Sequence, residues 1–130
     1  MKPLLLDTHA FIWLATEPEL LDAKALAQVS KPGAALLLSS ASVWEIVIKH
    51  GLGRLQLDGD PESFVRRALV DLSLTGLPVE ISHTLALAEL PLIHRDPFDR
   101  VLVAQAQSLG ARLVTRDRQI GEYDVEVVWA

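Results

Sequence analysis

The chain has 130 residues, half of them apolar, and its 17 acids against 12 lysines and arginines give a net charge of −5. That length suits one domain, 1–130, able to bury about two thirds of its unfolded surface. The absence of cysteine excludes disulfides, thiolate metal sites and a cysteine nucleophile, and the acidic balance excludes coating of nucleic acid by global charge.

The first apolar run, "PLLL" (3–6), predicts a strand that ends at Asp7, and "THAFIWLA" (8–15) and "LDAKALAQVS" (21–30) follow with helical spacing. A second strand is expected at "AALLL" (34–38), leading into a helix "ASVWEIVIKHG" (41–51). The stretch "GLGRLQLDGDP" (51–61) is the most loop-like and suits an excursion or a partner-facing edge. Next come a helix at "PESFVRRALVDL" (61–72), a strand at "LPVEI" (77–81) and a helix at "SHTLALAEL" (82–90). The helix "DPFDRVLVAQAQSLG" (96–110) has Asp96 as N-cap, Pro97 at its first position and Gly110 as C-cap. Strands "RLVT" (112–115) and "VEVVW" (125–129) complete the chain. Strands that are apolar throughout and alternate with helices predict an α/β fold, a mostly parallel sheet covered on both faces. No run approaches a membrane span and "MKPLLLD" is too short for a signal peptide, so a cytoplasmic location is expected.

In such sheets sites form where strands end and helices begin. Asp7 closes the first strand, Thr115 and Asp117 close the fourth, Glu45 opens the helix after the second, and Asp99 opens the helix before the fourth. Each acid also has a plainer use. Asp7 and Asp96 can cap helices, Glu45 can close a capping box with Ser42, and Asp117 can belong to a turn. Yet Glu45 has apolar neighbours all round, which predicts a buried carboxylate needing a partner. Acids gathered at one sheet edge repel unless something positive sits among them, and Mg²⁺ or Mn²⁺ is the natural occupant. That chemistry suits metal-dependent phosphodiester hydrolysis. His9, His50, His83 and His94 show no ligand spacing and are expected in solvated or core roles. Arg95, Arg100, Arg116 and Arg118 flank the acids and could hold a phosphate backbone or form surface ion pairs.

Taken together, "LLLDTHAFIWL", "SSASVWEIVIKHGLGRLQL", "HRDPFDRVLVAQAQ" and "LVTRD" resemble the PIN-domain ribonucleases of the VapC type, nearly end to end. The resemblance implies a PIN-like three-layer sandwich and a toxin endoribonuclease of a toxin–antitoxin pair. It implies one or two Mg²⁺ or Mn²⁺ ions held by Asp7, Glu45, Asp99 and Asp117, with Thr115 supporting the site through its hydroxyl. It also implies an RNA substrate, for which Arg100 and Arg116 are the candidate contacts, a cognate antitoxin and a homodimer. For the antitoxin-facing surface, Phe11, Trp13 and Leu14 are the candidates, in a run more apolar than one helix face can bury. Two other readings stay open: a phosphotransfer domain with Asp7 as nucleophile, for which Lys49 is the one mid-chain lysine available, and a non-catalytic interaction module.

Overall fold

The computed structural model describes residues 1–130. Strands β1 (Leu4–Leu6), β2 (Leu36–Ser39), β3 (Leu74–Leu77), β4 (Arg112–Thr115) and β5 (Val127–Trp129) form one sheet in the order β3-β2-β1-β4-β5. Every pairing is parallel. Helices α1 (Thr8–Thr16), α2 (Ala23–Val29), α3 (Ser40–Gly51), α4 (Pro61–Asp71), α5 (Ile81–Ala86) and α6 (Pro97–Leu109) connect and cover the strands. None is long and apolar enough to cross a membrane.

The three layers follow from the period of two along a strand. Leu4 and Leu6 of β1 pack with Phe11, Val29, Ile46 and Val65 on one face, where α1 to α4 lie. Leu5 points the other way, into a cluster with Leu102, Val103 and Ala106 of α6 and Leu113 of β4. Each fully buried leucine contributes about 1.5–3 kcal/mol, so the central strand must be apolar at every position. From β1 the chain builds outward through β2 to β3, then returns to lay β4 and β5 on the other side. That reversal beside β1 opens a crevice at the carboxyl ends of β1 and β4.

One strand lies elsewhere than its sequence predicts. The expected 77–81 segment is replaced by Leu74–Leu77, paired with β2 from Leu36↔Leu74 to Ser39↔Leu77. Pro78 has no N–H to give a ladder, and Glu80 is already the N-cap of α5. "LTGL" escapes an apolar-run criterion because Thr75 and Gly76 lie exposed on a sheet edge. Residues 52–60 are the expected excursion, pinned to the core by Leu55 and Leu57.

Helix α6 is bounded as its sequence dictates. The Asp96 carboxylate accepts the Phe98 N–H at 2.8 Å, and Gly110 ends the helix at φ 64°. A side chain in that left-handed conformation costs about 1–2 kcal/mol. Gly110→Ala should therefore lower the unfolding free energy by about that amount in urea titrations, with the α6 N-terminus unaffected.

Candidate metal centre

Four chain segments deliver acids to the crevice. Asp7 follows β1, and its main-chain N–H donates to the Val114 carbonyl of β4, extending the sheet by one residue. Its carboxylate caps α1 by accepting the Ala10 N–H at 2.8 Å, yet it also lines the cleft. The cap forms as its sequence predicts, and it leaves Asp7 on the cleft.

Glu45 is the buried, partnered carboxylate its sequence predicts, but α3 brings it there by another route. Ser39, not Ser42, caps α3 by accepting the Ala41 N–H, so the Ser42–Glu45 capping box does not form. Nor is α3 apolar and buried all round: Trp44, Val47 and Ile48 face solvent, while Ala41, Ser42, Glu45 and Ile46 turn inward. Glu45 is 4% exposed, and its partners are the Thr8 hydroxyl, donating at 2.6 Å, and the Lys49 ammonium one turn along.

At the start of α6 the two aspartates divide the work. Asp96 accepts the N–H groups of Phe98 and Asp99. Asp99 caps nothing and faces the cleft, 3.2 Å from His94 Nε2. Beyond β4, the Thr115 hydroxyl oxygen accepts the Asp117 N–H at 3.0 Å, fixing the turn. The Asp117 carboxylate then accepts the Gln119 N–H at 2.9 Å and lies 2.6 Å from His94 Nε2.

The resulting cleft, about 430 Å³, is lined by the carboxylates of Asp7, Glu45, Asp96, Asp99 and Asp117, together with Lys49, Arg116, His9, His94 and Trp13. Burial pushes the Asp7 carboxyl up, only partly offset by the Thr115 side chain and the Ala10 N–H. Asp99 is pushed up to about 7, by burial first and then by the charges of Asp96 and Asp7. Lys49 is raised by its hydrogen bond to Glu45. For His94, burial favours the neutral ring, but the bond to Asp117 and the nearby Asp99 charge together raise it. Against that pull, the Asp96 N–H points at Nδ1 from 3.0 Å and needs a lone pair there. The hydrogen-bond geometry therefore describes a neutral imidazole.

Carboxylates held unhappily ionised with few fixed cations form a donor set that fits a divalent ion: hard oxygen ligands whose repulsion a bound cation would relieve. The ligand atoms of His94, Asp99 and Asp117 all lie within 4.8 Å of one another, and Asp7 and Glu45 line the same cleft.

Some predicted residues are not brought there. The Arg100 guanidinium donates to the carbonyls of Leu87, Leu90 and Pro91 and ties down the segment before α6. It does not line the cleft. Arg118 stacks over Trp129, while Arg116 lies 5.0 Å over the Trp13 ring at the cleft rim. Phe11 is fully buried and forms no free surface, whereas Leu14 packs against the same core but stays half-buried. Sequence reasoning missed His94 and Thr8. Thr8 had a signal, a hydroxyl directly after a strand-end acid. His94 had only its place two residues before the cap.

The model of the PIN domain family matches residues 4–126. Ribonuclease VapC22 of Mycobacterium tuberculosis is 29% identical over 120 residues, covering 92% of this chain and 91% of that protein. Among solved structures, VapBC2 from Rickettsia felis, bound to a promoter DNA fragment, aligns with a TM-score of 0.72 at 15% identity, covering 96% of each chain. VapBC-1 from nontypeable Haemophilus influenzae aligns with a TM-score of 0.64 at 20% identity, again covering 96% of each. The parallel sheet with helices on both faces is the fold of those structures, and the chain belongs to the PIN domain family.

Proposed function

We propose that this chain, acting as a single PIN domain, is a metal-dependent endoribonuclease and the toxin of a toxin–antitoxin pair that works in the cytoplasm. The observation that carries the reading is the gathering of Asp7, Glu45, Asp99 and Asp117 on one cleft, with Asp99 pushed up to about 7 by burial and by its neighbours' charge. Those four would hold Mg²⁺ or Mn²⁺, all-oxygen ligands being suited to either. Such an ion supplies Lewis-acid activation of water and of a phosphodiester, and neutralises the charge that develops on it.

The chain's own residues prepare the site. Thr8 and Lys49 hold the Glu45 carboxylate. The Asp96 cap frees Asp99 from helix duties, and Thr115 sets the turn that carries Asp117. Arg116, at the rim, offers a cation to an RNA backbone. The name of the Mycobacterium tuberculosis relative supports ribonuclease chemistry. A phosphotransfer reading loses its lysine, because Lys49 is engaged by Glu45.

Partner binding moves off α1. Trp44, Val47, Ile48 and Leu52 form an exposed apolar stripe along α3 and its C-cap, and Ile81 and Leu85 form another on α5. We assign these surfaces to an antitoxin and to a second copy of the chain, since apolar patches of this kind are covered in working assemblies. The likeness to the VapBC structures supports such a partner.

Purified protein incubated with RNA should cleave it in Mg²⁺ or Mn²⁺ and stop on addition of EDTA. Asp7→Asn should remove both that activity and the growth arrest on expression without a partner; an equally toxic variant would overturn the metal mechanism.

Asp99→Asn separates a cap from a ligand. A carboxyl raised from 3.8 to about 7 binds more protons folded than unfolded, so without metal it costs stability progressively as pH rises through that window. The metal-free variant should therefore melt at or above the wild type at pH 8, with the gap closing toward pH 4. At a hundredfold excess over its dissociation constant, Mg²⁺ should stabilise the wild type by about 2.7 kcal/mol and the variant much less.

Val47→Glu and Leu52→Glu, both at exposed positions, should change stability by less than about 0.5 kcal/mol. Size-exclusion chromatography with light scattering should show the loss of self-association or of antitoxin binding.

A further inference from the structure

His94 is the group at the cleft with the most specific geometry and no assigned role. Its backbone is fixed from behind: the N–H groups of His94 and Ile93 donate to the Tyr123 hydroxyl at 2.7 and 3.2 Å. Tyr123 is itself buried in the core beneath α6. The ring is fixed from both edges. Nδ1 accepts the Asp96 main-chain N–H at 3.0 Å, while Nε2 lies 2.6 Å from Asp117 Oδ2 and 3.2 Å from Asp99 Oδ2.

Proximity alone would make His94 a third ligand beside Asp99 and Asp117, since the three donor atoms lie within 4.8 Å. The tautomer argues otherwise. A neutral imidazole has one N–H and one lone pair. The Asp96 N–H takes the lone pair at Nδ1, which leaves the proton on Nε2, between the two carboxylates. For Nε2 to ligate an ion, Nδ1 would have to carry the proton and face the Asp96 N–H, donor against donor.

We propose that His94 is a positioning residue and not a ligand: its Nε2–H, set by the Asp96 N–H and the Tyr123 hydroxyl, donates to Asp117 with Asp99 alongside, and holds Asp117 in place against Asp99 for a hard divalent ion. The inference rests on the divalent-ion reading of the cleft and deepens it. Each carboxylate has about four lone-pair directions, so one hydrogen bond from His94 leaves others for the ion. The ligand set stays all oxygen, and the selectivity that of oxygen ligands.

Two measurements on the full chain test this. Long-range ¹H–¹⁵N NMR of the imidazole, without metal and with Mg²⁺, should show Nε2 protonated and Nδ1 bare in both states. Calorimetric titration with Mg²⁺ should show His94→Leu weakened by about 10- to 100-fold, the usual range for removing a group that orients ligands. His94→Gln keeps an N–H near the Nε2 position and should retain most of the affinity. Tyr123→Phe keeps the core ring, releases the His94 backbone, and should weaken Mg²⁺ binding by a smaller factor.

A proton found on Nδ1, or a metal-induced shift at Nε2, would overturn the proposal in favour of ligation. Lowered melting temperatures in His94→Leu and His94→Gln alike, with the Mg²⁺ dissociation constant unchanged, would overturn it in favour of a purely structural role. A wild type that binds no divalent ion would overturn the reading of the cleft and the positioning role with it, a failure told apart by an intact Nε2–H signal.

Discussion

Repulsion among carboxylates brought to one partly dry cleft is the constraint around which the rest of this molecule is arranged. Asp7 and Asp99 are both held above their ordinary range, with burial the largest cause and neighbouring acids adding to it. Nothing local removes that cost. It is carried by the two cores on either face of the sheet, where Leu4, Leu6, Phe11 and Ile46 on one side and Leu5, Leu102 and Leu113 on the other are almost wholly dry. The parallel sheet also explains why the acids meet. All five strands run the same way, so β1 and β4 end at the same edge and release Asp7 and Asp117 side by side.

Capping a helix does not take an acid out of the cleft. Asp7 caps α1 with one carboxylate oxygen and still lines the cleft, and Asp117 holds its own turn while meeting His94. A helix N-terminus already favours negative charge, so it can keep a carboxylate ionised that burial would otherwise neutralise. Asp99, also in the first turn of α6, accepts no main-chain N–H and is pushed up to about 7. The pattern links a local structural habit to site electrostatics. The cap opposes the rise of the Asp7 carboxyl without cancelling it, because burial is the larger cause.

Much of this was legible in the sequence because strand ends are legible. Asp7 after "LLL" and Thr115 with Asp117 around "VTRD" are placed by the strand boundaries alone, and the "DPFDR" cap fixes which aspartate is spent. What failed was decided by packing. Glu45 is buried as its neighbours predict, but α3 is not covered on every side: Trp44, Val47 and Ile48 are exposed, and only tertiary contacts decide which face turns inward. Phe11 and Trp13 are two residues apart and equally apolar by composition. One fills the core while the other reaches the cleft rim. β3 was displaced because its residues carry no apolar run, and Arg100 because main-chain carbonyls claimed its guanidinium. His94 was invisible for a related reason: its partners lie 5 and 23 positions away, and the bond that fixes its tautomer comes from a backbone N–H.

The same charge distribution bears on the order in which ligands meet. Five carboxylates face Lys49 and Arg116 across the cleft, and with His94 neutral the acids outnumber the fixed cations even if Asp99 keeps its proton. A phosphodiester backbone approaching the metal-free cleft therefore meets like charge, strengthened where water is excluded. A divalent ion held by these acids would change the sign of that encounter locally and would favour the ionised form of Asp99, since a nearby cation lowers a carboxyl that burial has raised. Arg116, held over Trp13 at the rim rather than among the acids, stays available to the backbone throughout. The fold thus presents an anionic substrate with a cationic rim and an acidic floor, and a cation on that floor would remove the repulsion.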